Sequence, residues 1–229
     1  MCGRFALARC PDEETRRFDL AECADFTPRY NIVPTTDIPV IRCSPTHQNV
    51  LHQLRWGLVP QWSKDPTSGS RLINARSESL TEKPSFRSAF ARRRCLIPAD
   101  GFYEWDRQGT TKQPYYFTER NGELLAFGGL WESWTAPDGS LIRTTCIITT
   151  QATGEVALIH DRMPLIIPMD KVTAWLTGTP EEVQKLLRPA SYETLRSWPV
   201  SRNVNRVQEE GPKLIEPILS AVQQPQGTL

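Results

Sequence analysis

A chain that begins Met1-Cys2-Gly3-Arg4-Phe5 offers a reagent at its end. A small residue after the initiator methionine favours its removal, and the mature terminus is then expected to be a cysteine with a free α-amine and a thiol. The amine titrates at about 7.7–8.0 and the thiol at about 8.5, so a modest push from neighbouring groups makes both nucleophilic near neutrality. Such a 1,2-aminothiol condenses with an aldehyde, first as an imine and then, by thiol attack, as a five-membered thiazolidine. Taken alone, the same residues also fit a frayed terminus without function.

Other segments carry chemistry that could serve such a reagent. In Asp100-Gly101-Phe102-Tyr103-Glu104-Trp105 a glutamate sits among three aromatics. An Asp-Gly turn feeding an alternating strand puts Phe102 and Glu104 on one face and Tyr103 and Trp105 on the other. Partial desolvation would raise the Glu104 carboxyl toward the range where it both gives and takes a proton, while an edge-strand carboxylate with its head in water fits the same pattern. His160-Asp161-Arg162-Met163-Pro164 places an imidazole on a loop between apolar strands, where acid–base catalysis and a purely structural histidine are both open readings. If Asn74-Ala75-Arg76-Ser77-Glu78 is extended, Asn74, Arg76 and Glu78 share one face, which fits a binding surface or a solvated one. The run Arg92-Arg93-Arg94 is explained by the dipole of the helix that it ends.

Composition narrows what these residues can be doing. The 229 residues, 39% of them hydrophobic, suffice for one substantial core, and a net charge of +1 argues against a surface that is basic throughout. A local cleft remains open, with arginines, whose planar forks suit phosphate, recurring in the motifs. No apolar run approaches the ~20 residues that span a bilayer, and the N-terminal residues show no charged-then-apolar pattern, so a cytoplasmic protein is expected. The six cysteines lack C-x-x-C spacing, and with His47, His52 and His160 they form no familiar zinc pattern; reduced thiols, no metal and no cofactor are expected.

The elements that must position the chemistry follow from periodicity and turn signals. A short helix over 12–20 with Phe18 inward, an extended 28–34, and strands over 38–43, 51–59, 95–99, 115–118, 124–131, 142–150 and 165–167 alternate with Asn121-Gly122 and Asp138-Gly139 turns. Residues 61–71 read as a long loop carrying Trp62. Ser85 is the expected N-cap of a helix to Arg93, and Thr179-Pro180-Glu181-Glu182 starts another. Val200–Asn205 reads as extended and polar on one side. The fold class expected is α+β: a single domain over 1–222 with a largely antiparallel, barrel-like β core and peripheral helices, and a disordered tail over 223–229.

Met-Cys-Gly-Arg at the terminus, Asn74-Ala75-Arg76-Ser77-Glu78, Ala99-Asp100-Gly101-Phe102-Tyr103-Glu104-Trp105 and His160-Asp161-Arg162-Met163-Pro164, in this order from Cys2 to about Asn205, together resemble the SOS response-associated peptidase family, also described as abasic-site processing proteins. The resemblance implies a protein that binds single-stranded DNA containing abasic sites, at the nucleoid when bound; oligomeric state is left open, with a monomer the default for a one-to-one reaction. It implies that Cys2, freed of Met1, attacks the ring-opened deoxyribose to form a thiazolidine crosslink. By motif position, Asn74 holds the sugar or the amine, Glu104 shuttles protons, and His160 assists ring opening. Arg4, Arg76 and Arg162 grip flanking phosphates, and Trp105 and Trp62 pack against bases. Two other classes fit the same residues: a peptidase, acting on itself or on other proteins, with Cys2 as acyl-transfer nucleophile, and a non-covalent single-strand-binding module.

Overall fold

Two apolar runs, Ile38–Ile41 and Val50–Leu54, separated by the polar turn residues Ser44–Asn49, favour a hairpin, and the chain folds back on itself with Asp37 opposite Arg55 and Cys43 opposite Asn49. The computed structural model describes residues 2–9, 11–22, 26–106, 111–187 and 194–218; the expected domain boundary at 222 and the tail 223–229 lie outside these residues, as do Cys10 and Cys23. In chain order the elements are β1 (Phe5–Leu7), α1 (Pro11–Arg17), β2 (Arg29–Ile32), β3 (Asp37–Cys43), β4 (Asn49–Trp56), β5 (Asn74–Arg76), α2 (Arg87–Arg92), β6 (Arg94–Ala99) and β7 (Gly101–Asp106). There follow β8 (Gln113–Glu119), β9 (Leu125–Thr135), β10 (Leu141–Gln151), α3 (Gly154–Ala157), β11 (Arg162–Pro164), α4 (Val172–Thr177), α5 (Pro180–Gln184) and β12 (Leu195–Pro199).

The β3–β4 hairpin becomes part of a closed barrel. β3 pairs with β6 at Ile41↔Leu96, β6 with β9 from Arg94↔Leu130 to Ala99↔Leu125, and β9 with β10 from Leu141↔Thr135 to Ile147↔Gly129. β10 then meets β4 in parallel at Thr144↔Arg55 and Thr145↔Trp56, which closes the ring of β3, β4, β10, β9 and β6 and leaves none of these strands as a free edge within it. Gly129 sits on the inner wall because a side chain there would come within 2.6 Å of Ile97 Cδ1. The far end of β10 carries β5 in parallel and β11 antiparallel. The fold is thus α+β with a mainly antiparallel β core, as the strand pattern predicts.

A second sheet, in the order β12-β8-β7-β1-β2, packs on the barrel. One of its faces, with Phe5, Leu7, Ile32, Phe102 and Phe117, joins the main core. The other, with Ala6, Tyr103 and Tyr116, is covered by Val200, Val204 and Leu214. Phe102 and Tyr103 therefore point to opposite cores, as the alternation requires.

Local expectations fail where tertiary partners outweigh local signals. Asp100-Gly101 is a corner between the two sheets and not a hairpin turn: β6 belongs to the barrel and β7 to the second sheet. The Asp100 carboxylate accepts from the backbone N–H groups of Ala8 (2.5 Å) and Arg9 (3.2 Å), and pairs with the Arg9 guanidinium. A Cβ at Gly101 would lie 2.3 Å from the Phe117 carbonyl oxygen. Gly101→Ala is accordingly expected to destabilise the protein by about 3 kcal/mol or more, a loss that thermal denaturation would read directly.

The α2 helix begins at Arg87 with Phe86, not Ser85, at the cap position. Residues 66–71, expected as loop, form a 3₁₀ helix capped by Asp65. Val200–Asn205 is not extended: Ser201 caps a 3₁₀ turn over Arg202–Asn205. The Asn74 strand stops at Arg76, and a 3₁₀ turn over Ser77–Ser79 takes Glu78 off the face it was expected to share. At Thr179 both bonds of the capping box form. Cys2, Cys43, Cys95 and Cys146 are free thiols. Among the described residues no helix is long and apolar enough to cross a membrane, and no His, Cys, Asp and Glu cluster could hold a metal ion.

Candidate active site

The chain terminus is threaded into the core by β1. Phe5 pairs with Phe102 and Ala6 with Gly101 in an antiparallel ladder, and Tyr103 N–H donates to the Arg4 carbonyl oxygen at 3.0 Å. Continuing that register by one step puts Gly3 opposite Glu104 and Cys2 just beyond. Phe5 anchors the strand by edge contacts with Trp56 (5.4 Å) and Phe127 (6.1 Å) in the barrel. Cys2 is consequently fully buried, the opposite of a frayed end.

Three other elements converge on it. From β5, Asn74 Nδ2 donates to the Cys2 carbonyl oxygen at 2.8 Å. The adjacent Ile73 carbonyl is held by Trp56 Nε1 at 2.9 Å, so the barrel wall positions the amide. Asn74 Oδ1 is buried and has no hydrogen-bond partner, an acceptor beside the terminal residue. From β7, Glu104 is only 2% exposed. From the turn after α3, His160 Nε2 comes to 4.0 Å from Glu104 Oε2. That distance is too long for a hydrogen bond, yet it lets both groups reach one oxygen placed between them.

The imidazole tautomer follows from its other nitrogen. Nδ1 accepts the backbone N–H of Arg162 at 2.9 Å, so in the neutral ring the proton is on Nε2, facing Glu104. The Asp161 carboxylate also lies 3.0 Å from Nδ1, but it is 83% exposed and free to turn to water, whereas the backbone donor is fixed. Burial, then the charge of Glu104, pushes the Cys2 thiol well above its ordinary range. This reverses the expectation that neighbouring groups would push the thiol toward its nucleophilic form near neutrality.

The arginines expected to meet phosphate differ in their engagements. Arg4 donates to Asn31 Oδ1 (2.7 Å) and to the Val204 carbonyl (2.5 Å), and lies over the Trp105 ring at 5.9 Å. Trp105 Nε1 in turn donates to Asn205 Oδ1 at 2.7 Å. Arg162 is bound through two nitrogens to Glu78 (2.7 and 2.9 Å) and also donates to the Thr149 carbonyl at 2.6 Å. That pairing holds the Glu78 carboxyl below its usual range. Arg76 is exposed. Trp62, 66% exposed, is not gathered with the others: its loop is tied to Trp134 Nε1 through the Ser63 carbonyl, and Trp134 faces Ile142 on β10 whereas Asn74 faces Ile147. Five residues of strand separate those levels by about 17 Å.

Sequence reasoning missed Asn31. It is fully buried on β2, accepts from Arg4, and donates to the carbonyls of Glu209 (2.8 Å) and Arg206 (3.0 Å), which clamps the segment after β12 over Arg4. Its one signal is a lone amide in an extended run between two prolines.

Related chains share this arrangement's sequence or its fold. The chain is 40% identical over 223 residues to the abasic site processing protein YoqW of Bacillus subtilis, covering 94% of this chain and 99% of that one. It is 30% identical over 266 residues to the abasic site processing protein HMCES of Xenopus tropicalis, covering 96% and 79%. A crystal structure of a protein from Bacteroides thetaiotaomicron superposes with a TM-score of 0.84 over 95% of this chain and all of the other, at 22% identity, and so shares the fold. The sequence pattern of the SOS response associated peptidase (SRAP) family matches residues 1–207, and the chain belongs to that family.

Proposed function

We propose that the mature chain, with Met1 removed, processes abasic sites by capturing the ring-opened deoxyribose of single-stranded DNA in a covalent thiazolidine with Cys2. The observation that carries this reading is the burial of Cys2 among Asn74, Glu104 and His160, with Asn74 bonded to its carbonyl. The name abasic site processing protein, borne by relatives at 30–40% identity, supports it.

The steps of this reading draw on the amine that removal of Met1 frees, the Cys2 thiol and the side chains around them. The unprotonated α-amine adds to the aldehyde carbon, and the carbinolamine hydroxyl leaves as water after taking a proton, which leaves an imine. Glu104 and His160, which can both reach one oxygen, serve that departure: one delivers the proton and the other orients the hydroxyl. The thiol then adds to the imine carbon while its proton passes to the nitrogen, and the ring closes with water as the only product released. A thiol kept protonated by burial suits this order, because the amine acts first and the thiol brings the proton that the ring nitrogen needs. The same burial disfavours Cys2 as the thiolate of an acyl-transferring peptidase.

In this reading Asn74 orients the terminus and Arg76 meets strand phosphate. Arg162 reaches phosphate by exchanging Glu78 for it, and Arg4 with Trp105 forms the floor on which the strand turns. Trp62 contacts a base only at a distance from the lesion. Mixing the protein with a single-stranded oligonucleotide carrying one abasic site should give a slow band on a denaturing gel, and Cys2→Ser should remove it. Absence of the band with wild type, or its persistence in Cys2→Ser, would sink the proposal.

A further inference from the structure

The barrel has a second mouth, and its chemistry is unlike that of the first. Cross-strand partners share a face, and every second residue returns to it. Gly129, beside Ile97 Cδ1 and Cys95 Sγ, marks the inner wall on β9, so Trp131, two residues on, belongs to the same row. Trp131 faces Thr145, and Arg143, two residues before Thr145, faces Ser133. On β3 and β4, Val40 faces His52, and Arg42 follows two residues later. Phe127, which touches Phe5 at the Cys2 end, is four residues from Trp131 along β9, a separation of about 13 Å.

Arg42, His52 and Arg143 thus collect around Trp131, away from the catalytic cluster. The Arg42 guanidinium carbon lies 4.3 Å from the centroid of the Trp131 ring, a cation–π contact that holds the side chain at this mouth. Its Nε is buried and has no hydrogen-bond partner. Burial and then Arg143 lower the Arg42 pKa; burial, then Arg42 and Arg143, lower that of His52. Among the described residues no carboxylate pairs with any of the three side chains, whereas the neighbouring Arg93 has Glu132 and Arg162 has Glu78. The other polar neighbours facing inward include Thr145, whose hydroxyl donates to the Leu130 carbonyl, Ser133 and the Cys95 thiol, none of which offers a compensating negative charge near neutrality.

A buried guanidinium donor without an acceptor, beside a second arginine and an imidazole, is unfavourable until an oxyanion arrives. We propose that this mouth of the barrel is a phosphate-binding site, formed by Arg42, Arg143 and His52 around Trp131. The planar forks match phosphate oxygens, and His52 gains its proton as the anion binds, adding a third donor. The phosphate can belong to a nucleic-acid strand or be free, and the two sources are separable by experiment. The inference does not depend on covalent capture at Cys2.

The test follows His52 by NMR in the intact protein, which has three histidines to assign. Inorganic phosphate, compared with chloride at equal ionic strength, should raise the midpoint of His52 titration by about one pH unit, the scale expected when an opposite charge comes within hydrogen-bonding reach. Arg143→Gln, an exposed position, should abolish most of that rise without loss of fold, and Arg42→Gln should do the same where it folds. An undamaged single-stranded oligonucleotide at micromolar concentration that moves His52 identifies the strand as the source. A response to inorganic phosphate alone identifies a free phosphate. No movement of His52 with either ligand, or an equal rise in Arg143→Gln, overturns the site. Crosslinking of a short abasic oligonucleotide, measured on the same samples, should be unchanged in Arg143→Gln, so failure of capture at Cys2 and failure of this site are read separately.

Discussion

Protein carrying a lysine inserted between Met1 and Cys2 is expected to lose covalent capture of an abasic strand on the order of 10³-fold or more, the scale at which removal of a covalent nucleophile acts. A bulky second residue blocks removal of the methionine, so the nitrogen of the cysteine stays an amide. An amide nitrogen does not add to an aldehyde. The thiol alone gives a hemithioacetal, which reverses and does not survive a denaturing gel. Intact mass verifies the blocked terminus, and thiol titration verifies that sulfur is unmodified. The insertion leaves β1 and its ladder with β7 in the chain, and a circular dichroism spectrum like that of wild type would show that the fold is kept. Crosslinking at the wild-type rate would mean that the sulfur acts alone and that the α-amine has no part in the reaction.

Glu104→Gln should slow crosslinking by about 10²–10⁴-fold, the usual worth of a positioned proton-transfer group, while binding to an undamaged single strand changes by less than about twofold. The substitution keeps shape and hydrogen-bonding capacity in a position that is almost wholly buried. What it removes is the carboxyl that, in the proposed reaction, exchanges a proton with the departing hydroxyl. It also removes the negative charge that helps to raise the Cys2 thiol. The sign of the result is therefore informative. If ionisation of the thiol limited the reaction, Gln at this position would favour the thiolate and the variant would be faster. If loss of water from the carbinolamine is limiting, the variant is slower. Single-turnover gels supply the rate and fluorescence anisotropy supplies the binding. Equal losses in both would make Glu104 a binding or structural residue.

Much of the fold was legible because its local signals agree with its tertiary structure. The β-rich runs at 38–43 and 142–150, the glycines of the Asn121-Gly122 and Asp138-Gly139 turns, and the Thr179 capping box all form as their residue types require. The failures lie where a local motif has two solutions. Asp-Gly suits a hairpin, but Asp100 finds the N–H groups of Ala8 and Arg9 and Gly101 a carbonyl that no side chain could approach, so the chain turns from one sheet to the other. Asn74-Ala75-Arg76 pairs with β10, and the ladder ends where Ser77 starts a tight turn.

The sequence by itself determined the residue types that the proposed reaction draws on: a cysteine behind a removable methionine, a carboxylate among aromatics, an imidazole on a loop and an amide behind an apolar pair. These are properties of residue types and near neighbours. Only the tertiary structure decided which of them meet. Register across β1 and β7 carries Cys2 to Glu104, closure of the barrel brings Asn74 and His160 to the same place, and burial raises the thiol instead of lowering it. Tertiary pairing also commits Arg4 to Asn31 and Arg162 to Glu78, and leaves the buried Arg42 Nε without an acceptor at the opposite mouth. The physical reason is common to all of these: hydrogen bonding, desolvation and charge depend on distance in space, and for residues dozens of positions apart that distance exists only once the sheets have closed.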